Sequence, residues 1–210
     1  MAAIPADALP ERVIYISTSG VYGDHQGSRV DEQTPPRPGT ERARRRLAAE
    51  QSLQGWARQH RVDCVILRVG GIYGPGRLPL QRLRQGMPVL RPDLAPPTNR
   101  IHADDLAQVC QAAARAGGQC TIYNVCDSEA STMSEYFLAV AEQAGLPPPR
   151  QIDWQQAESE LSPAMLSFLH ESRRMDNGKL LRELDIRLDY PTLAEGLAAC
   201  FAHNPHDAAD

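Results

Sequence analysis

Two short runs dictate what this chain can fold into. Residues 12–17, RVIYIS, and residues 64–69, CVILRV, are β-branched or aromatic and almost free of turn residues, as expected of strands covered on both faces. Between them Thr40 is placed to cap a helix reaching about Gln59, with Glu41 in its first turn. Leu47, Ala48, Leu53, Trp56 and Ala57 recur along it at helical spacing. Strand, helix and strand in this order predict a βαβ unit, which requires a parallel sheet. Residues 120–125, CTIYNV, read as a third strand. Helices are expected over 103–116 and 132–144, the second stopped by Gly145 and Pro147. Shorter helical pieces are expected near 78–85, 154–160, 162–170, 176–184 and 191–202. This alternation predicts an α/β fold with helices on both sheet faces. Ligands in such folds bind beyond the carboxyl ends of the strands. Those ends are Ser17-Thr18-Ser19, the Gly-rich loop from Gly70 to Gly76, and Asn124 to Asp127.

At 210 residues the chain has room for a domain to a domain and a half. The expected division is a sheet domain over 1–127 and a smaller, mainly helical lobe over 128–210, with interleaved contacts. A formal net charge of −4 argues against a nucleic-acid partner, which calls for a basic face. No apolar run approaches the ~20 residues needed to span a bilayer, so no membrane partner is expected. The five cysteines are odd in number, scattered and without a CxxC pair, most of them in apolar runs. Reduced thiols and a cytoplasmic location are expected. No spacing suits a zinc site. The N-terminus lacks the basic segment and apolar core of a signal peptide, and the tail after His203 is expected to fray.

Four blocks carry a resemblance. Residues 14–23, IYISTSGVYG, are followed in order by 67–77, LRVGGIYGPGR, 100–107, RIHADDLA, and 121–127, TIYNVCD. In order and spacing these resemble the extended short-chain dehydrogenases/reductases, the NAD-dependent epimerase/dehydratase family. The resemblance implies a Rossmann-like parallel sheet with flanking helices and a C-terminal lobe on the substrate side. It implies NAD or NADP as cofactor, a sugar or nucleotide-sugar as substrate, and a homodimer as the conceivable assembly.

Two departures set this chain apart. The family opens with a GxxGxxG turn that cradles the pyrophosphate on a helix N-terminus. Only eleven residues precede Arg12, so the Rossmann-like sheet is expected to be incomplete and the chain truncated at its N-terminus. The loop at 70–76 is no substitute, because Pro75 and Pro79 break the helix that should follow it. The family also uses Tyr-x-x-x-Lys with a glutamate one turn later. Counting back from Glu50, Arg46 stands at the lysine position and Arg42 at the tyrosine position. Lys179 is the single lysine, and Met175 stands four residues before it, so Tyr-x-x-x-Lys occurs nowhere. The pattern resembles the atypical branch of the family, in which this tetrad is degenerate.

The resemblance assigns Ser19 as the catalytic serine, and Tyr22 is the nearest phenol able to replace the missing tyrosine. Cofactor contacts are expected from Ser17, Arg46, Gly70, Gly71 and Tyr73, and substrate contacts from Arg42 and Arg77. Each has a plainer alternative. Ser17, Thr18 and Ser19 can satisfy backbone groups in a turn, and Tyr22 can pack under the loop. Arg42 and Arg46 can lie on a solvated helix face, with Arg46 paired to Glu50. Asp105 reads as structural at a helix start, and His102 as an interior histidine. Two functions follow: an NAD(P)-dependent epimerase/dehydratase-like or oxidoreductase-like enzyme, or a cofactor-sensing or partner-binding scaffold that has lost its catalytic tetrad.

Overall fold

The computed structural model describes residues 4–5, 8–116 and 120–203. The tail beyond His203 and part of the N-terminal segment lie outside the described residues. Three parallel strands form the main sheet in the order β1 (Arg12–Thr18), β3 (Asp63–Val69), β8 (Thr121–Val125). Helix α1 (Glu41–His60) connects the first two and begins where the sequence places its cap. The Thr40 hydroxyl accepts from the Ala43 amide at 3.2 Å, and Arg61 ends the helix in the left-handed conformation. The α1 face carrying Leu53 and Ala57 packs on Cys64 and Ile66 of β3. Helix α3 (Ala103–Arg115) covers the other side, where Val109 and Ala113 meet Val65, Leu67 and Val125. The fold is α/β, with helices on both faces of a parallel sheet.

Between Tyr22 and Arg29 the chain turns back into β2 (Arg29–Val30). After β3 it passes through Gly70 into β4 (Gly71–Tyr73), which pairs with β7 (Arg100–His102) instead of continuing the main sheet. Gly70 is the pivot. Its amide still donates to the Val125 carbonyl at 2.9 Å, while the Gly71 amide donates to the Asn99 carbonyl at 2.8 Å. A Cβ on Gly70 would lie 2.8 Å from that carbonyl oxygen, so the crossing of the two backbones requires glycine.

Helix α2 (Leu80–Arg84) and β5 (Val89–Leu90) follow β4, and β6 (Pro97–Thr98) precedes β7. Beyond the main sheet come β9 (Ser131–Thr132), α4 (Met133–Gln143), β10 (Gln151–Ile152), α5 (Trp154–Glu160) and α6 (Pro163–Leu169). The last elements are β11 (Arg174–Met175), α7 (Gly178–Glu183) and α8 (Leu193–His203). Thr132 and Glu135 form a reciprocal capping box at the start of α4. Short parallel pairings, β5 with β10 and β2 with β11, tie these elements back to the first half of the chain. A second core joins Tyr73, Leu80, Leu83 and Val89 to Phe137, Val140, Leu197 and Cys200, so it draws on residues either side of position 127. No helix among the described residues is long and apolar enough to cross a membrane.

Candidate functional site at the ends of the parallel strands

Beneath the strand ends lies a buried polar row. Ser17, Arg68 and Asn124 stand side by side in register across β1, β3 and β8. Glu50 reaches the row from α1. Arg68 donates to it from Nε at 3.2 Å and from Nη2 at 2.8 Å, and the Ser17 hydroxyl donates to its Oε1. The Arg68 guanidinium sits 4.8 Å from the centre of the Tyr22 ring, and the Tyr22 hydroxyl donates to Asn124 Oδ1 at 2.7 Å. Asn124 in turn donates to the carbonyls of Val30 and Asp176. Burial pushes the Tyr22 phenol above its ordinary value, against the pull of Arg68.

This row relocates three residues named from the sequence. Ser17 is enclosed with Glu50, because its side chain points from the strand toward α1. Tyr22 is buried in the core with its hydroxyl committed to Asn124, the packing alternative rather than an acid facing a ligand. Arg46, one helical turn further from the strand ends than Arg42, leaves Glu50 to Arg68. It donates instead to the Tyr15 hydroxyl at 3.2 Å, on the outer side of β1.

Above the row the remaining residues line two adjoining cavities. The smaller, about 130 Å³, is walled by Ser19, Thr40, Arg42, Gly70 and Gly71, and closed by Phe168 and Arg173. Ser19 reaches it because β1 ends in a 3-10 turn over Ser19–Tyr22, held by the Thr18 hydroxyl accepting from the Gly20 amide at 3.2 Å. The larger, about 380 Å³, shares Gly71 and Phe168 with the first and adds Ile72, Tyr73, Arg77, Arg82, Arg100 and Tyr136. The structure thus brings Ser19, Arg42, Gly70 and Gly71 together, and Gly71, Tyr73 and Arg77 together. Tyr73 is a buried wall, its ring edge-on to His102 at 5.3 Å and to Tyr136 at 6.0 Å. Burial raises its phenol pKa. Arg100 is buried over the Tyr136 ring at 4.5 Å and donates to the Ser131 hydroxyl at 2.7 Å.

Phe168, Glu171 and Arg173 are site residues that the sequence reading missed. They lie some 150 residues from Ser19 in the chain, in no motif the reading used, and the pairing of β11 with β2, together with hydrogen bonds to Asn99 and Asp24, carries the segment to the strand ends. His102 is interior, as expected. Its Nδ1 accepts from the Asp104 amide at 3.3 Å, capping α3. Asp105 is structural by a route the sequence did not indicate. Its carboxylate accepts from the amides of Asp189 and Tyr190 at 2.7 and 3.1 Å, which clamps the segment before α8.

A model of the NAD dependent epimerase/dehydratase family matches residues 2–126. The chain belongs to this family. The chain is similar to protein YeeZ of Escherichia coli K12, with 29% identity over 181 residues, 86% of this chain and 59% of that protein. Its fold is similar to that of a functionally unknown conserved protein from Silicibacter pomeroyi, with a TM-score of 0.81 and 37% identity over 91% of this chain and 66% of that one. It is also similar to the UDP-glucose 4-epimerase of Thermus thermophilus, solved in complex with NAD, with a TM-score of 0.72 and 27% identity over 93% of this chain and 64% of that one. The chain spans 59% to 66% of the length of these three relatives.

The described residues fit only part of the dinucleotide that gives the epimerase/dehydratase family its name. Gly70 and Gly71 offer a wall without side chains beside Ser19, which suits the approach of a flat ring. For a pyrophosphate, amides at a helix N-terminus directly after a strand are wanted. Among the described residues, β1 reaches α1 only through residues 19–40, and the Ala43 amide is already taken by Thr40. Lys179 lies away from both cavities, its Nζ donating to the Ile122 carbonyl at 3.0 Å.

Proposed function

We propose that the chain forms the substrate side of an NAD(P)-dependent enzyme acting on a sugar or nucleotide-sugar. The observation that carries this reading is the pair of adjoining cavities at the strand ends. One is small and holds the Ser19 hydroxyl. The other is larger, with Arg77 and Arg82 at its wall and two exposed apolar side chains, Ile72 and Phe168. A sugar hydroxyl or carbonyl fits beside Ser19, whose half-buried hydroxyl can donate to the reacting oxygen. A phosphate fits against Arg77 and Arg82, since guanidinium groups bind such oxygens through charge-assisted hydrogen bonds. Neither arginine transfers protons at neutral pH, because a guanidinium stays charged. For the same reason, the proton-handling group of a full reaction is not supplied by Arg42 or Arg46.

One observation favours a second reading, a cofactor-sensing or partner-binding scaffold. Arginines stand where the family carries its tyrosine and lysine, and Lys179 is spent on the edge of β8. Saturation-transfer NMR with UDP-glucose and with NAD separates the two. The enzyme reading expects contact from the sugar nucleotide, abolished by filling the larger cavity with Gly71→Trp. Tight dinucleotide binding without sugar-nucleotide contact would favour the scaffold, and no contact from either would remove both.

A further inference from the structure

Arg173 enters the Ser19 compartment from the short link between α6 and β11. It is only 8% exposed, yet it lines the smaller cavity with Ser19 and a neighbouring recess with Asn99. Nη1 donates to the Gly23 carbonyl at 2.6 Å and approaches Glu171 Oε2 at 3.5 Å. Nε is buried and has no hydrogen-bond partner among the described residues. An unmade hydrogen bond from a buried charged group is costly, so a native site that keeps one is suited to a ligand that accepts from it. The backbone around it is fixed from both sides. Asn99 donates from Nδ2 to the Arg173 carbonyl at 3.0 Å and accepts at Oδ1 from the Met175 amide at 2.7 Å. The guanidinium is thus held in advance of any ligand, which lowers the ordering cost of binding. Arg42, exposed on the first turn of α1, lines the same cavity from the opposite strand end. Two arginines and one glutamate, Glu171, therefore line a space of about 130 Å³.

We propose that Arg173 binds a carboxylate of the ligand beside Ser19, so that the substrate is a sugar acid or a comparable hydroxy acid. The proposal rests on the reading of the Ser19 cavity as the reacting end of a sugar site, and it adds the charge of the group held there. A carboxylate matches the fork of an arginine edge in a plane. The cavity is too small for a diphosphate with its sugar, which has the larger space next door. Glu171 Oε1, also without a partner among the described residues, is on hand to accept from a ligand hydroxyl.

The test is a titration of the ¹⁵N-labelled chain with D-glucuronate, D-glucose and D-glucose 6-phosphate, followed through the Arg173 Nε–H signal and the amides of Ser19 and Gly71. Glucuronate is expected to move all three, and glucose at the same concentration to leave Nε–H in place. Arg173→Lys keeps the charge, removes that signal and is expected to weaken glucuronate about tenfold, the scale of one charge-assisted hydrogen bond. Arg173 also supports Gly23, so if the variant does not fold the wild-type titration decides alone. Glucose moving the same signals as strongly would overturn the carboxylate assignment and leave the sugar reading standing. Preference for glucose 6-phosphate would overturn it in favour of a phosphate. No shift with any of the three would overturn both.

Discussion

Asp127 stands at the carboxyl end of β8, 3% exposed, with both carboxyl oxygens lacking a hydrogen-bond partner among the described residues. Burial pushes its pKa up to about 8, with Arg100 pulling the other way and Glu129 adding to the rise. The folded chain therefore keeps a proton that the unfolded chain releases near pH ~4. Its contribution to stability is full below that pH and is lost as the pH rises through about 8. Denaturant unfolding between pH 5 and 9 should show stability falling with pH, and Asp127→Asn should flatten that fall and exceed the parent above pH 8. Burial also raises Asp105 and Glu32, in the same direction. Asp127 was legible in the sequence only as part of a strand end. Which side chains of such an end turn toward ligand depends on the pleat and on what lies below. Ser19, Gly70 and Gly71 follow the strand-end rule and meet at one cavity, which Arg42 joins from the first turn of α1. Ser17 and Tyr22 are equally close in sequence but belong to the row under Arg68 and Glu50, and nothing in their spacing distinguishes them. A lone buried glutamate is equally silent about its partner: Arg46 at i−4 was the local choice, and Arg68 from the next strand took it.

At the level of elements the helices, short ones included, and the main strands could be read, and the two- and three-residue strands could not. The three main strands and α1, α3 and α4 carry apolar periodicity and caps, so their existence and order followed from local rules. The two-residue strands have no period to read, yet β2 and β11 bring Arg173 to the site. The two edges of the main sheet also differ in a way only the structure reveals. The outer edge of β8 is closed by charged side chains: the Asn124 amide donates to Glu32 at 2.8 Å, and the Ile122 carbonyl accepts from Lys179 at 3.0 Å. On β1, Arg46 approaches the Ile16 carbonyl at 3.5 Å, and Ile16 is 45% exposed. An open strand edge with an exposed apolar residue promotes pairing with another chain, and a charge on it opposes this. Sedimentation velocity should therefore show self-association of the chain that Ile16→Lys reduces. Lys179→Ala, by uncovering the β8 edge, should increase it. A parent that stays monomeric at high concentration would remove β1 as the associating edge.

Over the whole molecule, the described strands and helices assemble the side of the site that faces Ser19, Arg77 and Arg173, and this sets what the chain can hold unaided. Dinucleotide affinity in open α/β sheets comes largely from amides at a helix N-terminus that meet the pyrophosphate, with a carboxylate on the ribose. None of the three main strands runs directly into such a helix among the described residues: β1 leads into the Ser19–Tyr22 turn, β3 through Gly70 into β4, and β8 toward β9. What is available is the bare wall of Gly70 and Gly71, enough to bound a ring but without charge to hold a phosphate. Arg42 and Arg173 line the smaller cavity beside that wall, Arg77 and Arg82 line the larger, and each phosphate engaged in the larger is one the dinucleotide loses. Calorimetry on the 210-residue chain should accordingly find NAD and NADP bound weakly, without micromolar affinity for either. Competition sharpens the expectation. If the weak binding that exists runs through Arg77 and Arg82, UDP-glucose should displace the dinucleotide and Arg77→Gln should weaken both. Micromolar binding of NAD that survives Arg77→Gln would mean that the pyrophosphate is held elsewhere, and the division of labour argued for these strand ends would have to be redrawn.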